Sequence, residues 1–206
     1  MGMVNYGPDR FMKSLDESLN KLQTDYVNML LLHWPDASSD LDKTLDLLLE
    51  AKKSGKARLI GVSNFTIDLM KAAQSKTDNT LATNQVEFHP FIDQGPVLEW
   101  IRRHDMFLTR YSPLSRGDVV KSDVIEQIGG KYKKNSGQVA LRWALQHDRV
   151  AVIPKAASVE HIKSNYDVFD FELTQEEMDK ITGLAREDGR KVNPDFAPDW
   201  DTAKAA

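Results

Sequence analysis

Amphipathic helical segments and short apolar runs alternate along nearly the whole chain, and this rhythm restricts the available folds more than any other feature. Residues 9 to 23, DRFMKSLDESLNKLQ, repeat apolar side chains at Phe11, Leu15, Leu19 and Leu22, the spacing of one helix face, with Pro8 suited to the first turn. YVNMLLLH from 26 to 33 is short and continuously apolar in its second half, as expected of a strand covered on both faces. Residues 40 to 54 then read as a helix through Leu41, Leu45, Leu48 and Leu49, closed by Gly55, and ARLIGVSNF reads as the next strand. The pattern continues with helix TIDLMKAAQS, strand LATNQVEFHP, helix GPVLEWIRRH and strand MFLTRYSPL. A polar stretch, SRGDVVKSD, interrupts it before helices DVIEQIGGKYKKN and GQVALRWALQH and strand RVAVIPK. SVEHIKSNY predicts another helix, Thr174 and Glu177 form a capping box for a last one to about Arg186, and the tail KVNPDFAPDWDTAKAA reads as irregular.

Strands that alternate with helices imply parallel strands joined by right-handed crossovers, in an open doubly wound sheet or a barrel. No G-x-G-x-x-G follows the first strand and no P-loop sequence occurs, so the usual nucleotide signatures of open sheets are missing. Polar residues stand instead at the C-terminal end of each strand: His33, Ser63 with Asn64, Gln85 with Glu87, Tyr111 with Ser112, and Lys155. That is the pattern of a (β/α)8 barrel, whose chemistry is assembled at the C-terminal ends of its strands. Only five strands are legible.

The 206 residues are 41% hydrophobic and 28% charged, which fits one ordinary globular domain. Cysteine is absent, which excludes disulfides, thiolate nucleophiles and cysteine-ligated zinc. A net charge of −4 without a long basic run argues against nucleic acid as a partner. No apolar run reaches membrane-spanning length, and MGMVNYGPDR lacks the features of a signal peptide, so a soluble cytoplasmic protein is expected.

Taken in order, DYVNMLLLHWP, GKARLIGVSNF, NQVEFHP, YSPL, VIPK followed by a helix ending in SN, and FAPDWD resemble the aldo-keto reductase family over essentially the whole chain. The likeness is nearest to short bacterial members similar to 2,5-diketogluconate reductases. It implies a parallel (β/α)8 TIM barrel and NAD(P)H-dependent reduction of aldehydes or ketones. It also implies that the chain is a single domain over 1–206 lacking the first three β/α units, an incomplete barrel of strands four to eight with their helices.

The resemblance assigns His33 as the catalytic histidine that orients the substrate carbonyl; a lone strand-end histidine is otherwise more often a satisfied structural group. Trp34 corresponds to a substrate-pocket wall, with a core aromatic as the alternative. Asn64 and Gln85 correspond to residues that hold the nicotinamide carboxamide, assisted by Ser63, although S-N-F-T is also ordinary turn sequence before a helix. Tyr111 corresponds to the ring that stacks on the nicotinamide, and Ser112, Leu114 and Ser115 to the pyrophosphate path. Lys155 corresponds to the residue that meets the 2′-phosphate or diphosphate of NADP(H), Asn165 is retained on the adenine side, and Ser158 is expected to compensate in part for an arginine that is replaced there. Ala156, His161 and Ser164 replace the family's usual serine, arginine and glutamate there, so NAD(H) is also admitted.

Of the family's aspartate, tyrosine, lysine and histidine tetrad only the histidine maps onto this sequence. Tyr6, Tyr26, Tyr111, Tyr132 and Tyr166 stand in other contexts. Impaired turnover is therefore expected of these 206 residues. Alternatives are a cofactor-binding or structural fragment that self-associates through open barrel edges, and a piece of an ordinary reductase. Glu87 and His89 share a strand face, but no third metal ligand accompanies them. His104 and His147, at helix ends, read as structural.

Overall fold

In the computed structural model, residues 1–201 are described; 202–206, the last part of the tail expected to be irregular, lie outside the described residues. The helices are α1 (Pro8–Leu22), α2 (Leu41–Lys53), α3 (Ile67–Lys76), α4 (Gly95–Arg103), α5 (Asp123–Tyr132), α6 (Ser136–Leu145), α7 (Val159–Tyr166) and α8 (Gln175–Thr182). The strands are β1 (Val27–Leu32), β2 (Ala57–Ser63), β3 (Leu81–Glu87), β4 (Phe107–Tyr111) and β5 (Val150–Val152), forming a parallel sheet in chain order. The fold is thus α/β with a parallel five-stranded sheet. Residues 1–85, 99–107 and 194–201 form one compact unit, and 86–98 with 108–193 another.

In the first unit, α1 buries Phe11, Leu15 and Leu19, and α2 buries Leu45, Leu48 and Ala51. Each such large apolar side chain contributes about 1.5–3 kcal/mol on leaving water. Leu22, counted on the same stripe from its spacing, is instead 62% exposed, because α1 ends there and Gln23 turns left-handed at φ 55. The expectation that β1 is covered on both faces is corrected as well. Leu30 and Leu32 are buried on one face, whereas on the other Met29 is exposed and Val27 and Leu31 are only half-buried, so the strand has one packed face. The outer edge of β1 is not bare: the Met1 α-amino group donates to Leu31 O at 2.8 Å, and His33 N–H donates to Met1 O at 3.0 Å.

Leu31 of β1 stands opposite Gly61 of β2, and the register of β2 with β3 shifts between Ile60 and Val62. A Cβ at Gly61 would lie 2.7 Å from Thr83 O and 2.8 Å from Leu31 Cδ2, so glycine here marks a close approach of neighbouring strands. Gly61→Ala is expected to cost about 1–3 kcal/mol through overpacking, read as a lowered urea midpoint.

In the second unit, α6 buries residues on almost every side, including Val139, Leu141 and Trp143. It starts with a capping box of Asn135 and Gln138. The buried Arg110 of β4 lays its guanidinium 3.3 Å from the Phe88 ring centroid and 5.0 Å from that of Trp143, so its charge is stabilised by two ring faces. The Thr174–Glu177 capping box is present, but α8 stops at Thr182 rather than near Arg186: past it Leu184 N–H and Ala185 N–H bond to Ile181 O and Thr182 O, so the chain goes on only as tighter i→i+3 turns. The polar stretch after β4 is a 3₁₀ segment, Ser115–Lys121, with left-handed Arg116 and Gly117 inside it. No helix among the described residues is long and apolar enough to cross a membrane.

Candidate functional site

The polar residues assigned from the strand ends in the first unit belong to one hydrogen-bonded cluster. Asn64 Nδ2 donates to His33 O at 3.0 Å and to Ser63 Oγ at 3.1 Å. Ser63 Oγ donates in turn to Gln85 O at 2.8 Å, the same oxygen that accepts Asn64 N–H at 2.8 Å. The ends of β1, β2 and β3 are therefore stitched together through one amide and one hydroxyl. Asn64 reaches this position only by adopting φ 63, which asparagine tolerates better than most side chains. Both hydrogens of its side-chain amide are used within the protein, so its donors serve to place His33.

His33 itself is exposed, while partial burial of its ring and the nearby Met1 charge hold its pKa below the ordinary value. The imidazole is thus neutral at physiological pH and can donate a hydrogen bond without carrying a charge. Trp34, beside it, is 6% exposed. Its backbone is gripped by Tyr6, whose hydroxyl donates to Trp34 O at 2.8 Å and accepts Trp34 N–H at 3.2 Å. Burial pushes the Tyr6 phenol up to about 12. The indole is covered edge-on by Phe196 at 5.5 Å and Trp200 at 5.9 Å between ring centroids. Trp34 is thus a buried aromatic, as its alternative reading expected, and it stands beside His33 with ring centroids 6.2 Å apart.

In the second unit, Tyr111 is half-buried at the end of β4, and burial, followed by the charge of Glu87, pushes its phenol well above the usual tyrosine range. Ser112 and Ser115 are left-handed at φ 50 and 48, and the loop is closed by Ser115 N–H to Ser112 O and Gly117 N–H to Leu114 O, both 2.9 Å. Ser115 Oγ is fully buried and has no hydrogen-bond partner among the described residues. Lys155 is exposed just beyond β5. Ser158 Oγ accepts His161 N–H at 3.1 Å, so this hydroxyl is the N-cap of α7. Asn165, half-buried, lines an open cleft of about 870 Å³ with Pro154, Ala156, Ile162 and Tyr166. Ser164 Oγ accepts a hydrogen bond from Asn135 Nδ2 at 3.1 Å.

The same-face placement of Glu87 and His89 is also realised, and its use is structural. The fully buried Glu87 carboxylate accepts His89 Nε2–H at 3.1 Å and the backbone N–H groups of Lys191 and Val192, each at 2.9 Å. Phe91 N–H donates to His89 Nδ1 at 3.2 Å, which places the ring proton on Nε2, facing the carboxylate. Burial opposes ionisation of Glu87, but these hydrogen bonds outweigh it and hold its pKa below the usual glutamate value. Sequence reading missed this grip on the Arg190–Val192 segment, as it missed the roles of Tyr6, Phe196 and Trp200. Only the FAPDWD motif hinted at the last two.

Residues 1–186 match the model of the aldo/keto reductase family. The chain belongs to this family. It is 38% identical over 201 residues to a methylglyoxal reductase DkgB of Escherichia coli O157:H7, covering 96% of this chain and 74% of that protein. A glyoxal reductase of Bacillus subtilis (strain 168) is 40% identical, over 92% of this chain and 68% of its own length. Among solved structures, one described as a 2,5-diketo-D-gluconic acid reductase B superposes with a TM-score of 0.94 at 45% identity, covering 96% of this chain and 71% of that one. A mutant of Gox0644 in complex with NADPH gives 0.87 at 32% identity, over 92% and 70% of the two chains.

Proposed function

We propose that this family member takes part in NADPH-dependent reduction of small aldehydes or ketones to alcohols, with β1 to β5 serving as strands four to eight of the family's barrel. The observation that carries this reading is the Asn64–Ser63–Gln85 cluster, which holds a neutral His33 at the end of β1. The family relatives are named as methylglyoxal and glyoxal reductases, and a Gox0644 mutant has been crystallised with NADPH. The shared chemistry is addition of hydride to a carbonyl carbon and a proton to its oxygen.

The residues present fit the dinucleotide. Tyr111, half-buried in its unit, carries an aromatic ring of the kind that stacks on a nicotinamide, and Ser63, Asn64 and Gln85, in the other unit, carry the hydroxyl and amide groups assigned to a carboxamide. The left-handed Ser112–Gly117 turn, with Leu114 and the buried, unpartnered Ser115 hydroxyl, offers donors to the pyrophosphate. Lys155 supplies the charge for a 2′-phosphate, with Ser158 and Asn165 on the adenosine side. When bound, the reduced cofactor supplies the hydride. His33 directs its imidazole N–H at the carbonyl oxygen, orienting it and stabilising the negative charge that develops there. Trp34 limits the space around that oxygen and keeps water from it.

Proton delivery is the weak step in these 206 residues. Tyr6 is pinned to the Trp34 backbone and raised to about 12, so it is a poor acid at neutral pH. Lacking a tuned acid, turnover should be slower by roughly 10²–10⁴-fold than in a reductase that has one. Titrating purified chain with NADPH should change cofactor fluorescence, and adding a reactive aldehyde should give slow oxidation that His33→Ala abolishes. No cofactor-induced change would remove the binding assignment, and oxidation unaffected by His33→Ala would remove His33 from the reaction. A monomeric mass by light scattering would count against the self-association expected of open edges.

A further inference from the structure

Asp201 lies in the irregular tail, far in sequence from every residue assigned to the reaction, yet its carboxylate makes a specific tertiary contact. Its Oδ2 accepts Ile67 N–H at 2.9 Å. Ile67 is the first residue of α3, where backbone N–H groups have no partner within the helix. The helix's own N-cap, Thr66, reaches only Leu69 N–H, at 3.4 Å. The tail thus completes a cap that the helix leaves half made.

What this contact fixes is the stretch immediately before it. Trp200 is the adjacent residue, and Trp200 and Phe196 stand at 63° and 87° to the Trp34 ring, which they cover. Trp34 follows His33 and is held rigidly from behind by Tyr6. One side of the aromatic group therefore belongs to the sheet, and the other to a tail segment whose Asp201 carboxylate is bound to the start of α3.

We propose that Asp201 is a positioning residue: bound to Ile67 N–H, it sets how closely Trp200 and Phe196 close on Trp34, and so how bulky a carbonyl compound can reach His33. This rests on His33 being the carbonyl-binding residue, as proposed above. The contact needs an acceptor oxygen at this position. Asp68, on the first turn of α3, repels a carboxylate at 201, while Lys71, paired with Asp68 at 2.9 Å, attracts it. Burial also disfavours the ionised form, so Asp201 titrates above the usual aspartate value. An amide, isosteric and neutral, should hold the tail as well as the acid does, whereas alanine should release it.

The test compares Asp201→Ala and Asp201→Asn in the full chain by acrylamide quenching of tryptophan emission. It also compares the dissociation constants of acetaldehyde and benzaldehyde, read from quenching of the same emission. Losing one capping contact should lower the closed-to-open ratio about fivefold, so Asp201→Ala should become more quenchable and shift the aldehyde preference toward benzaldehyde by a similar factor. Asp201→Asn should match the parent in both. A variant Asp201→Ala that matches the parent in quenching, or an Asp201→Asn that behaves like alanine, would overturn the proposal. If quenching rises in Asp201→Ala only, but His33→Ala leaves both aldehyde constants unchanged, the tail contact stands and the carbonyl assignment of His33 fails. Quenching that rises without any change in relative aldehyde binding would reject the selectivity role.

Discussion

Glu87→Ala is expected to destabilise the chain by about 3–5 kcal/mol, a large share of the stability of an ordinary domain. Three donors converge on this carboxylate: His89 Nε2–H, Lys191 N–H and Val192 N–H. Each left buried without an acceptor costs about 1–3 kcal/mol, offset in part by water entering the space. The measurement is a urea unfolding midpoint, which should fall with little change in slope. The loss should also carry a pH signature. Because the folded pKa of Glu87 lies below the ordinary 4.5, its contribution is fully present above that value and is lost as pH falls through the folded pKa. The gap between parent and Glu87→Ala should therefore be constant near neutrality and narrow in acid below about 4.5. A gap that widened on acidification would mean that the carboxyl is held in its neutral form.

Gly189→Ala should have an effect of similar size through the same segment. A Cβ at position 189 would collide with the backbone oxygen and carbon of Phe91, a clash with main chain that no rotamer can relieve. The Arg186–Val192 stretch would have to move away, although Arg186 N–H donates to Phe91 O at 3.2 Å and Lys191 Nζ pairs with Asp118 at 2.8 Å. Moving it would take the Lys191 and Val192 N–H groups out of reach of Glu87. The cost is expected to reach about 3 kcal/mol. Because both substitutions break one set of contacts, the double variant should be destabilised by clearly less than the sum of the two singles. Additive losses would show that the segment and the carboxylate act independently.

The limits of sequence reading follow from how far apart the interacting residues lie. Elements with local signals were legible: the α1 stripe, the Thr174–Glu177 box, and polar residues at the strand ends. His33, Ser63, Asn64 and Gln85 were singled out this way, and the structure joins all four in one cluster, His33 and Gln85 through their backbone oxygens. The errors were local competitions that pattern cannot weigh. Leu22 fits the helical period but falls where the helix ends, and α8 tightens into i→i+3 turns at Leu184 and Ala185 before the periodicity runs out. The contacts that hold the tail carry no period at all. Glu87 meets Lys191 at a separation of 104 residues, and Ile67 meets Asp201 at 134. A carboxylate that accepts backbone N–H groups selects no partner side chain, so nothing in the partner's sequence announces it.

The left-handed backbone at Asn64 and Ser112 bears on how such a site persists. Glycine would adopt φ 63 or φ 50 without the steric cost that falls on any side chain there. At Asn64 that relief would be set against the two hydrogen bonds its amide makes to His33 O and Ser63 Oγ, which glycine would lose. Retaining Asn64 and Ser112 sets local strain against the most relaxed backbone, and the surrounding sheet has to carry it. The left-handed turn and the polar side chain at Asn64 therefore come as one unit: the strain of the backbone is what brings the amide within reach of two strand ends at once.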